Sequence, residues 1–516
     1  MIVELLLSLL AILAFFALAT ARDKWASGKL PPGPIALPII GHLHLIGPLI
    51  HHTFHALSAK HGPLMHLRLG SISAIVASSP DMAREFLKTH ELCFSMRAGT
   101  IVTNYVTYDN ISFAFAPYGA YWKFIKKIST FELLGNRMLA QFLPIRSQEL
   151  RSLLGLLHEK SRNRGRVNLS QELLRFSNNI ICMMMLGIRA SGTEGEAEVA
   201  RRLARDVTQI FGEFNVSDFV WFLRKWDLQG FKRRSEDIRR RFDELLERIV
   251  NEREAVREEE RRRDGGKRRE ARDFLDLMLD VIEDENAEIK LTRDHVKALV
   301  LDFFTAGTDT SAASLEWALS ELINYPKVLQ KAREEIDRVV GPNRLVEESD
   351  GPNLVYIHAV IKEAFRLHPA IPMITRKCVQ ECEIGGYKIP ENSMLFVNMW
   401  SVGRNPKYWA DPLEFRPERF LESHVDMKGQ HFELLPFGSG RRICAGMSLA
   451  LQELPAALAA VIQCFDFEVV GPDGEVVRGK EHPVDMSERQ GLTVPKATDL
   501  VCVPVARAAK VLATLG

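Results

Sequence analysis

The chain of 516 residues sets 67 Lys and Arg against 66 Asp and Glu, a formal net charge of +1, so its overall field gives no reason to expect a nucleic-acid partner. A hydrophobic fraction of 46% allows a large buried core, in several domains or in one large one. The seven cysteines are scattered and include no C-x-x-C pair, which argues against a zinc site or disulfide framework and for reduced thiols in a cytosol-facing body.

The N-terminal segment stands apart. Leu5 to Ala21 carries no charge, with Glu4 before it and Arg22, Lys24 and Lys29 after it. About 17 residues is the lower limit for spanning a bilayer. A cleaved signal peptide has its basic residues before the apolar run. Here they follow it, so the segment reads as an uncleaved single-pass anchor with the body on the cytosolic side. Pro31-Pro32-Gly33-Pro34 then makes a stiff elbow, because successive prolines cannot continue a helix. The expected divisions are residues 1–22 as anchor, 23–34 as a basic, proline-rich hinge, and 35–516 as the globular body.

Within the body, Leu64 to Leu69 and Ser73 to Ala77 are short apolar or alternating runs bounded by turn residues, and predict two strands of a small sheet. His42, His44, His51, His52 and His55 have no acidic or cysteine partner beside them in sequence, so they read as surface or packing residues rather than ligands. Met96 to Ala116 is aromatic-rich, poorly periodic and charged only at Arg97 and Asp109. That suits the wall of an apolar pocket or a plain surface loop. Trp122 and Lys126 are four apart on one helical face, and Lys123 and Lys127 offer a basic face for docking an acidic partner. Leu139 to Gln229 reads as several helices. From Phe231 to Arg272, mixed Arg and Glu at helical spacing, broken at Gly265-Gly266, describe solvated helices and a flexible turn.

Thr292 to Tyr325 predicts the best helix of the chain, capped at Thr292 or Asp294 and stopped by Pro326. At about 1.5 Å per residue it crosses a whole domain. Ala306-Gly307-Thr308-Asp309-Thr310-Ser311 interrupts it with a glycine and a hydroxyl–carboxylate pair. Such a pair is either a packing glycine with back-bonded hydroxyls or a device for moving protons. Glu363 and Arg366 share one face of a further helix that ends at His368-Pro369, and Ile371 to Thr375 is rigid and apolar enough to wall a pocket. Glu383 to Pro390 and Ser393 to Asn398 suggest strands joined by a turn, and Gly491-Leu492-Thr493 a turn tip that could return to the pocket.

Pro436-Phe437-Gly438-Ser439-Gly440-Arg441-Arg442-Ile443-Cys444-Ala445-Gly446 organises the rest. It sets one cysteine in a glycine-rich loop just before a helical run, Met447 to Gln463, where N-terminal amides favour a thiolate. Gly438, Gly440 and Gly446 allow backbone angles closed to other residues and a close approach by a flat cofactor. Arg442 supplies a cation for a carboxylate. Phe437, Gly440, Arg442, Cys444 and Gly446 at this spacing resemble the haem-binding loop of the cytochromes P450.

The resemblance extends over the anchor, the proline elbow, Trp122 and Lys126, the Asp309–Thr310 helix, Glu363 and Arg366, and Pro417 to Phe420. It implies the cytochrome P450 fold: mainly α with a small β-sheet region, a single catalytic domain behind an N-terminal transmembrane anchor, with haem b between the long helix and the cysteine loop. It implies Cys444 as iron ligand, Trp122, Lys126, Arg376 and Arg442 at the propionates, and a structural Glu363–Arg366–Arg419 network. Asp309 and Thr310 would serve proton delivery. Electrons would come from NADPH through NADPH–cytochrome P450 reductase on the endoplasmic reticulum membrane, since the sequence has no Rossmann fingerprint of its own.

Phe304 to Ser311, Arg366 to Lys377 and Glu488 to Pro495 look like the plant group that oxidises flavanones: flavone synthase II, flavanone 2-hydroxylase and the 2-hydroxyisoflavanone synthases. The isoflavonoid makers carry Lys where Thr375 stands and Ser-Thr where Thr310-Ser311 stands. The resemblance therefore implies oxidation of a naringenin-like flavanone at C2 without aryl migration, to flavone or alternatively to 2-hydroxyflavanone. Phe304, Ala306, Met373, Thr375 and Leu492 are the expected substrate-pocket residues. A haem-thiolate sensor that oxidises nothing and a peroxide isomerase are the other readings, and the Asp309–Thr310 pair argues against the sensor.

Overall fold

The computed structural model describes residues 30–188, 196–263, 273–471, 475–477 and 483–513. The anchor expected over 1–22 and the start of the hinge lie outside the described residues. The helices that frame the molecule are α1 (Ile50–His61), α2 (Ile101–Val106), α3 (Ala120–Lys127), α4 (Leu143–Arg162), α5 (Leu169–Leu186), α6 (Glu196–Gly212), α7 (Phe231–Arg263), α8 (Phe274–Glu283), α9 (Arg293–Asn324), α10 (Pro326–Val339), α11 (Val355–Leu367) and α12 (Met447–Cys464). The strands are β1 (Leu64–Leu69), β2 (Ile72–Ala77), β3 (Val167–Asn168), β4 (Met373–Lys377), β5 (Cys382–Ile384), β6 (Tyr387–Ile389), β7 (Met394–Asn398), β8 (Phe465–Val470), β9 (Val476–Val477) and β10 (Val501–Ala506).

Helix α9 is the axis. Its start is held by Thr292, whose backbone N–H donates to His295 Nδ1 at 3.1 Å. Its end is set by Pro326, which opens α10 at a position where the missing N–H costs nothing. Buried residues run from Val296 to Leu322, because α9 packs against α5, α6, α11 and α12. The helix passes unbroken through Ala306 to Ser311, so the interruption expected there is absent. Gly307 instead admits α5: a Cβ on it would stand 2.5 Å from Ile181 Cδ1. The Thr310 hydroxyl donates to the Ala306 carbonyl at 2.6 Å, which keeps a polar side chain satisfied within the helix.

The charge-dense stretch forms α7, which buries one stripe of Phe231, Ile238, Phe242, Leu245, Leu246, Ile249 and Val250 and leaves most of its Arg and Glu at the surface, while Arg253 and Arg257 are drawn in by Asp273, Asp276 and Asp280. The break expected at Gly265-Gly266 lies outside the described residues. Helix α12 is long and apolar enough to cross a membrane, yet it is core: Leu454 and Ala456 to Ile462 are all buried.

The first sheet has the order β1-β2-β7-β4. β1 and β2 pair antiparallel, β2 and β7 parallel, and β7 and β4 antiparallel with Thr375 opposite Phe396. A second sheet runs β3-β10-β8-β9. Glu383 to Pro390, expected as one strand, is a hairpin: Gly385 and Gly386, at φ 60° and 76°, turn β5 back onto β6. The proline elbow lies against β1, with the His66 N–H donating to the Pro32 carbonyl at 2.9 Å. Only glycine fits at position 33, since a Cβ there would sit 2.1 Å from the His66 carbonyl oxygen.

Candidate active site

Cys444 follows a short turn, Gly440–Arg442, and precedes α12. Its N–H donates to the Phe437 carbonyl at 2.9 Å, which closes the loop on itself. Gly438 and Gly440 adopt φ 75° and 71°, the left-handed region in which glycine is favoured. At Gly440 a Cβ would also lie 2.3 Å from Glu91 Oε1. Gly446 differs from expectation: its φ is −81°, open to any residue, and a Cβ there would meet Cys444 Sγ at an ordinary 3.8 Å. Phe437 sets its ring edge-on to Phe365, 5.5 Å between centroids, tying the loop to α11.

Of the seven cysteines Cys444 alone is exposed, although it is enclosed by protein: burial is the main effect on its thiol and pushes its pKa up. Accessibility inside an enclosure means that the sulfur faces an interior space. The Gly446 and Met447 N–H groups, Lys126 and Arg97 oppose the rise. The α12 amides alone therefore do not ionise this thiol; a coordinated metal would do so outright.

Four cations interact with one another beside the cysteine loop, two of them, Lys126 and Arg97, acting on the sulfur itself. Arg376, buried, has its pKa lowered well below the usual arginine value by burial and then by Arg97 and Arg442. Burial and Arg97 bring Arg442 down to about 10. Arg97 and Lys126 are lowered by burial as well. Asp302 is the acid that pairs with Arg97, and burial pushes its own pKa up to about 7. Such a ring of mutually repelling, desolvated cations beside an accessible thiol fits a dianionic, metal-bearing group. A haem offers two propionates and an iron, and the residues present suit it.

The same side chains also make contacts within the protein. Trp122 Nε1 donates to the Phe113 carbonyl at 3.1 Å, and Lys126 Nζ to the Ile443 carbonyl at 3.0 Å. Arg442 is shared among the carbonyls of Ser95, Phe113 and Ala116 and stacks 4.4 Å from the Trp122 ring. Arg376 donates to the Thr375 carbonyl at 2.8 Å. These side chains thus fasten the 95–116 segment and the cysteine loop as well as supplying charge. Arg97 was not singled out from sequence as a site residue; its signal was a lone cation in an uncharged stretch. Asp302, a lone acid in an apolar run, was also missed. It accepts from the Ala114 N–H at 3.2 Å, with Ser112 and Phe113 as further donors, and so clamps this wall to α9.

On α9, Asp309 is half-buried and hydrogen-bonded with Thr208 of α6, and burial raises its pKa. Ala306, one turn from Thr310, is exposed. Phe304 is buried in the main core. Met373 packs against the cluster around Phe54, and strand alternation puts Thr375 on that same face of β4. Ile374, between them in the expected pocket-walling run 371–375, faces the cysteine loop: its Cδ1 lies 3.9 Å from where a Gly438 Cβ would stand. Leu492 lies at a turn tip against the end of α6, where a Gly212 Cβ would be 2.4 Å from its backbone nitrogen. Phe115 and Phe211 meet nearby at 5.8 Å.

Glu363, Arg366 and Arg419 come together behind the loop. Glu363 accepts from Arg366 at 2.7 and 2.8 Å and from Arg419 at 3.0 Å. Arg366 also donates to the carbonyls of Gly403, Pro412 and Glu414. The histidines require a correction: His51 and His52 do have an acidic partner, Glu488, at 2.6 and 2.9 Å, brought from the far end of the chain.

Residues 31–499 match the family described as Cytochrome P450. The chain is 57% identical over 484 residues to Cytochrome P450 93B2 of Gerbera hybrida, covering 93% of this chain and 92% of the relative. It is 47% identical over 526 residues to a 2-hydroxyisoflavanone synthase of Glycyrrhiza echinata, covering 99% of each. It is also 47% identical to a 3,9-dihydroxypterocarpan 6A-monooxygenase of Glycine max, covering 94% of each. A zebrafish cytochrome P450 solved with progesterone superposes with a TM-score of 0.71 at 24% identity, covering 89% of this chain and 99% of that one.

Proposed function

The chain belongs to the cytochrome P450 family and is a haem-thiolate monooxygenase of the plant P450 93 group, and on that premise we propose that it converts flavanones to flavones. The observation that carries the reading is Thr375 and Thr310-Ser311, positions where resemblance to the isoflavonoid-forming group would imply Lys and Ser-Thr. In support, identity to the 2-hydroxyisoflavanone synthases is 47–48%, against 57% and 55% to Cytochromes P450 93B2 and 93B16. The names of the 2-hydroxyisoflavanone synthases and of the pterocarpan monooxygenase point to flavonoid-type substrates.

A bound haem with a thiolate ligand supplies the activation of dioxygen, because the sulfur donates electron density that favours O–O cleavage. The protein's part is positioning and proton supply. Cys444 would ligate the iron, Arg97, Lys126, Arg376 and Arg442 would neutralise the propionates, and Phe437 and Gly440 would shape the sulfur's side. Asp309, whose pKa burial raises, and Thr310, whose hydroxyl donates to the Ala306 carbonyl, are the residues that would carry protons toward the reacting oxygen, Thr310 giving up its own proton as it takes another. The net reaction takes flavanone, O2, NADPH and a proton to flavone, NADP⁺ and two waters. Releasing the 2-hydroxyflavanone after one hydroxylation is the alternative.

The electron donor in this reading is NADPH–cytochrome P450 reductase, met by exposed Lys123 and Lys127 on the outer face of α3. The enzyme sits on the endoplasmic reticulum membrane through residues 1–22, with 23–34 as hinge and 35–516 as the cytosolic haem domain. Exposed Ile35, Ile39, Trp221, Phe222, Trp226 and Leu228 rest on the same bilayer, since both segments meet at the Gly70–Ser71 turn.

Incubation of the purified enzyme with reductase, NADPH and naringenin tests the proposal. Flavone formed directly supports it. A 2-hydroxyflavanone that gives flavone only on acid treatment, or a 2-hydroxyisoflavanone, overturns it.

A further inference from the structure

Remote from the cysteine loop, α1 presents two adjacent imidazoles to one carboxylate. His51 Nε2 and His52 Nε2 stand 2.6 and 2.9 Å from the same oxygen, Oε2 of Glu488. Among the described residues this is the one group of three or more His, Cys, Asp or Glu whose ligand atoms all lie within 4.8 Å of one another. The other carboxylate oxygen, Oε1, accepts from Trp400 Nε1 at 2.9 Å. That bond leaves Oε2 free to converge with the two nitrogens, the outer-sphere orientation that metal-binding carboxylates require.

The surroundings suit an ion as well. His51 and the Glu488 side chain are 3% and 7% exposed, while His52 is 42% exposed, so the cluster is sheltered on one side and open on the other. The rings are locked: His51 lies edge-on to His52 at 4.6 Å, and His52 lies 4.3 Å from the Trp400 ring. Burial lowers the His52 pKa, and against its own burial the hydrogen bonds and charge of His51, Trp400 and His52 bring Glu488 down to about 2. The charged and titratable neighbours are Arg404, whose guanidinium stacks 3.8 Å over the Trp400 ring, and His55, whose Nδ1 is engaged by the Ser401 hydroxyl at 2.8 Å. Arg404 opposes a cation and is drawn to Glu488, and His368 also lies within reach of the Glu488 charge.

We propose that His51, His52 and Glu488 form a second, non-haem metal site that takes a divalent first-row ion of the zinc class. Two imidazole nitrogens, one carboxylate oxygen and an outward-facing water complete a tetrahedron. Bonds of about 2.0–2.1 Å require donor atoms about 3.3 Å apart, so the present spacings open by roughly half an ångström while both rings shift their proton to Nδ1. No net proton is released when both rings start neutral. The ion staples α1 to the Glu488–Lys496 turn, whose tip carries Leu492 toward α6, and so braces one edge of the substrate space.

The test uses the full-length enzyme with haem, stripped of loosely bound metal and titrated with zinc chloride by calorimetry, with zinc counted after desalting. The expected result is one zinc per chain in addition to the haem iron, a melting temperature raised by several degrees, and an unchanged carbon-monoxide difference spectrum. His52→Ala and Glu488→Gln each weaken binding about tenfold or more, and His44→Ala leaves it unchanged. Binding falls away on acidification as the imidazoles take up protons. His52→Ala, altering a half-open ring, decides the matter if Glu488→Gln fails to fold. Absence of saturable binding with zinc in large excess, or equal binding by wild type and His52→Ala, overturns the proposal.

Discussion

Thr310 shows how one side chain serves two demands. Its hydroxyl is satisfied by the Ala306 carbonyl at 2.6 Å, which holds α9 straight, and the same atom lies beside the exposed Ala306 where oxygen chemistry would occur. Replacing it by alanine costs the helix little, because alanine is the better helix former, but removes the proton-bearing group. Thr310→Ala is expected to lower product formed per NADPH consumed by about tenfold or more, with peroxide released instead. Measuring NADPH, product and peroxide together checks this, and unchanged coupling would take Thr310 out of its role. Residues such as Cys444 and Arg442 were legible in sequence because their spacing is local. Arg97 and Asp302 were not, since each acquires its meaning from a partner about 200 residues away in the chain.

Between elements, the buried Glu363–Arg366–Arg419 network joins α11 to the segment ahead of the cysteine loop. Glu363 is completely buried, and its oxygens serve both arginines and the Arg416 N–H. Glu363→Ala leaves two cations without their anion and is expected to cost about 3–5 kcal/mol, read as loss of the folded, haem-binding protein in thermal denaturation. Between α4 and α12, Glu453 is buried beside a cavity of about 100 Å³ that Arg146 and Glu348 also line. Burial lifts its pKa to about 8, well above the ordinary carboxyl value near 4.3. The folded state therefore holds this proton more tightly than the unfolded state. Its contribution to stability is fully present below about pH 4 and is lost as pH rises through 8. Glu453→Gln is expected to flatten the decline in melting temperature between pH 5 and 8 and to exceed wild type at pH 8. A parallel decline in both proteins would refute the assignment.

At the scale of the molecule, exposed aromatics define one outer surface. Trp221 and Trp226 are 68% and 72% exposed, an unusual state for the largest side chain, and their segment meets that of exposed Ile35 and Ile39 at the β1–β2 turn. Each buried tryptophan or leucine returns about 1.5–3 kcal/mol on leaving water. A chain lacking residues 1–29 is therefore expected to keep co-sedimenting with phospholipid vesicles, and Trp221→Ala with Trp226→Ala to abolish most of that binding. Retention of full binding by the double variant would exclude this surface.

Periodicity and capping by themselves determined the course of α9, the β1 and β2 strands and the helical ground plan, because backbone preferences act over a few residues. The cysteine loop was equally legible, since its glycines, arginine and cysteine work within one short turn. Only the tertiary structure decided which face of β4 looks toward the loop, that Asp302 and Arg442 fasten the same wall, and that Glu488 meets two histidines on α1. Those outcomes depend on burial and on contacts between segments hundreds of residues apart, where the cost of desolvating a charge rather than local propensity selects the partner.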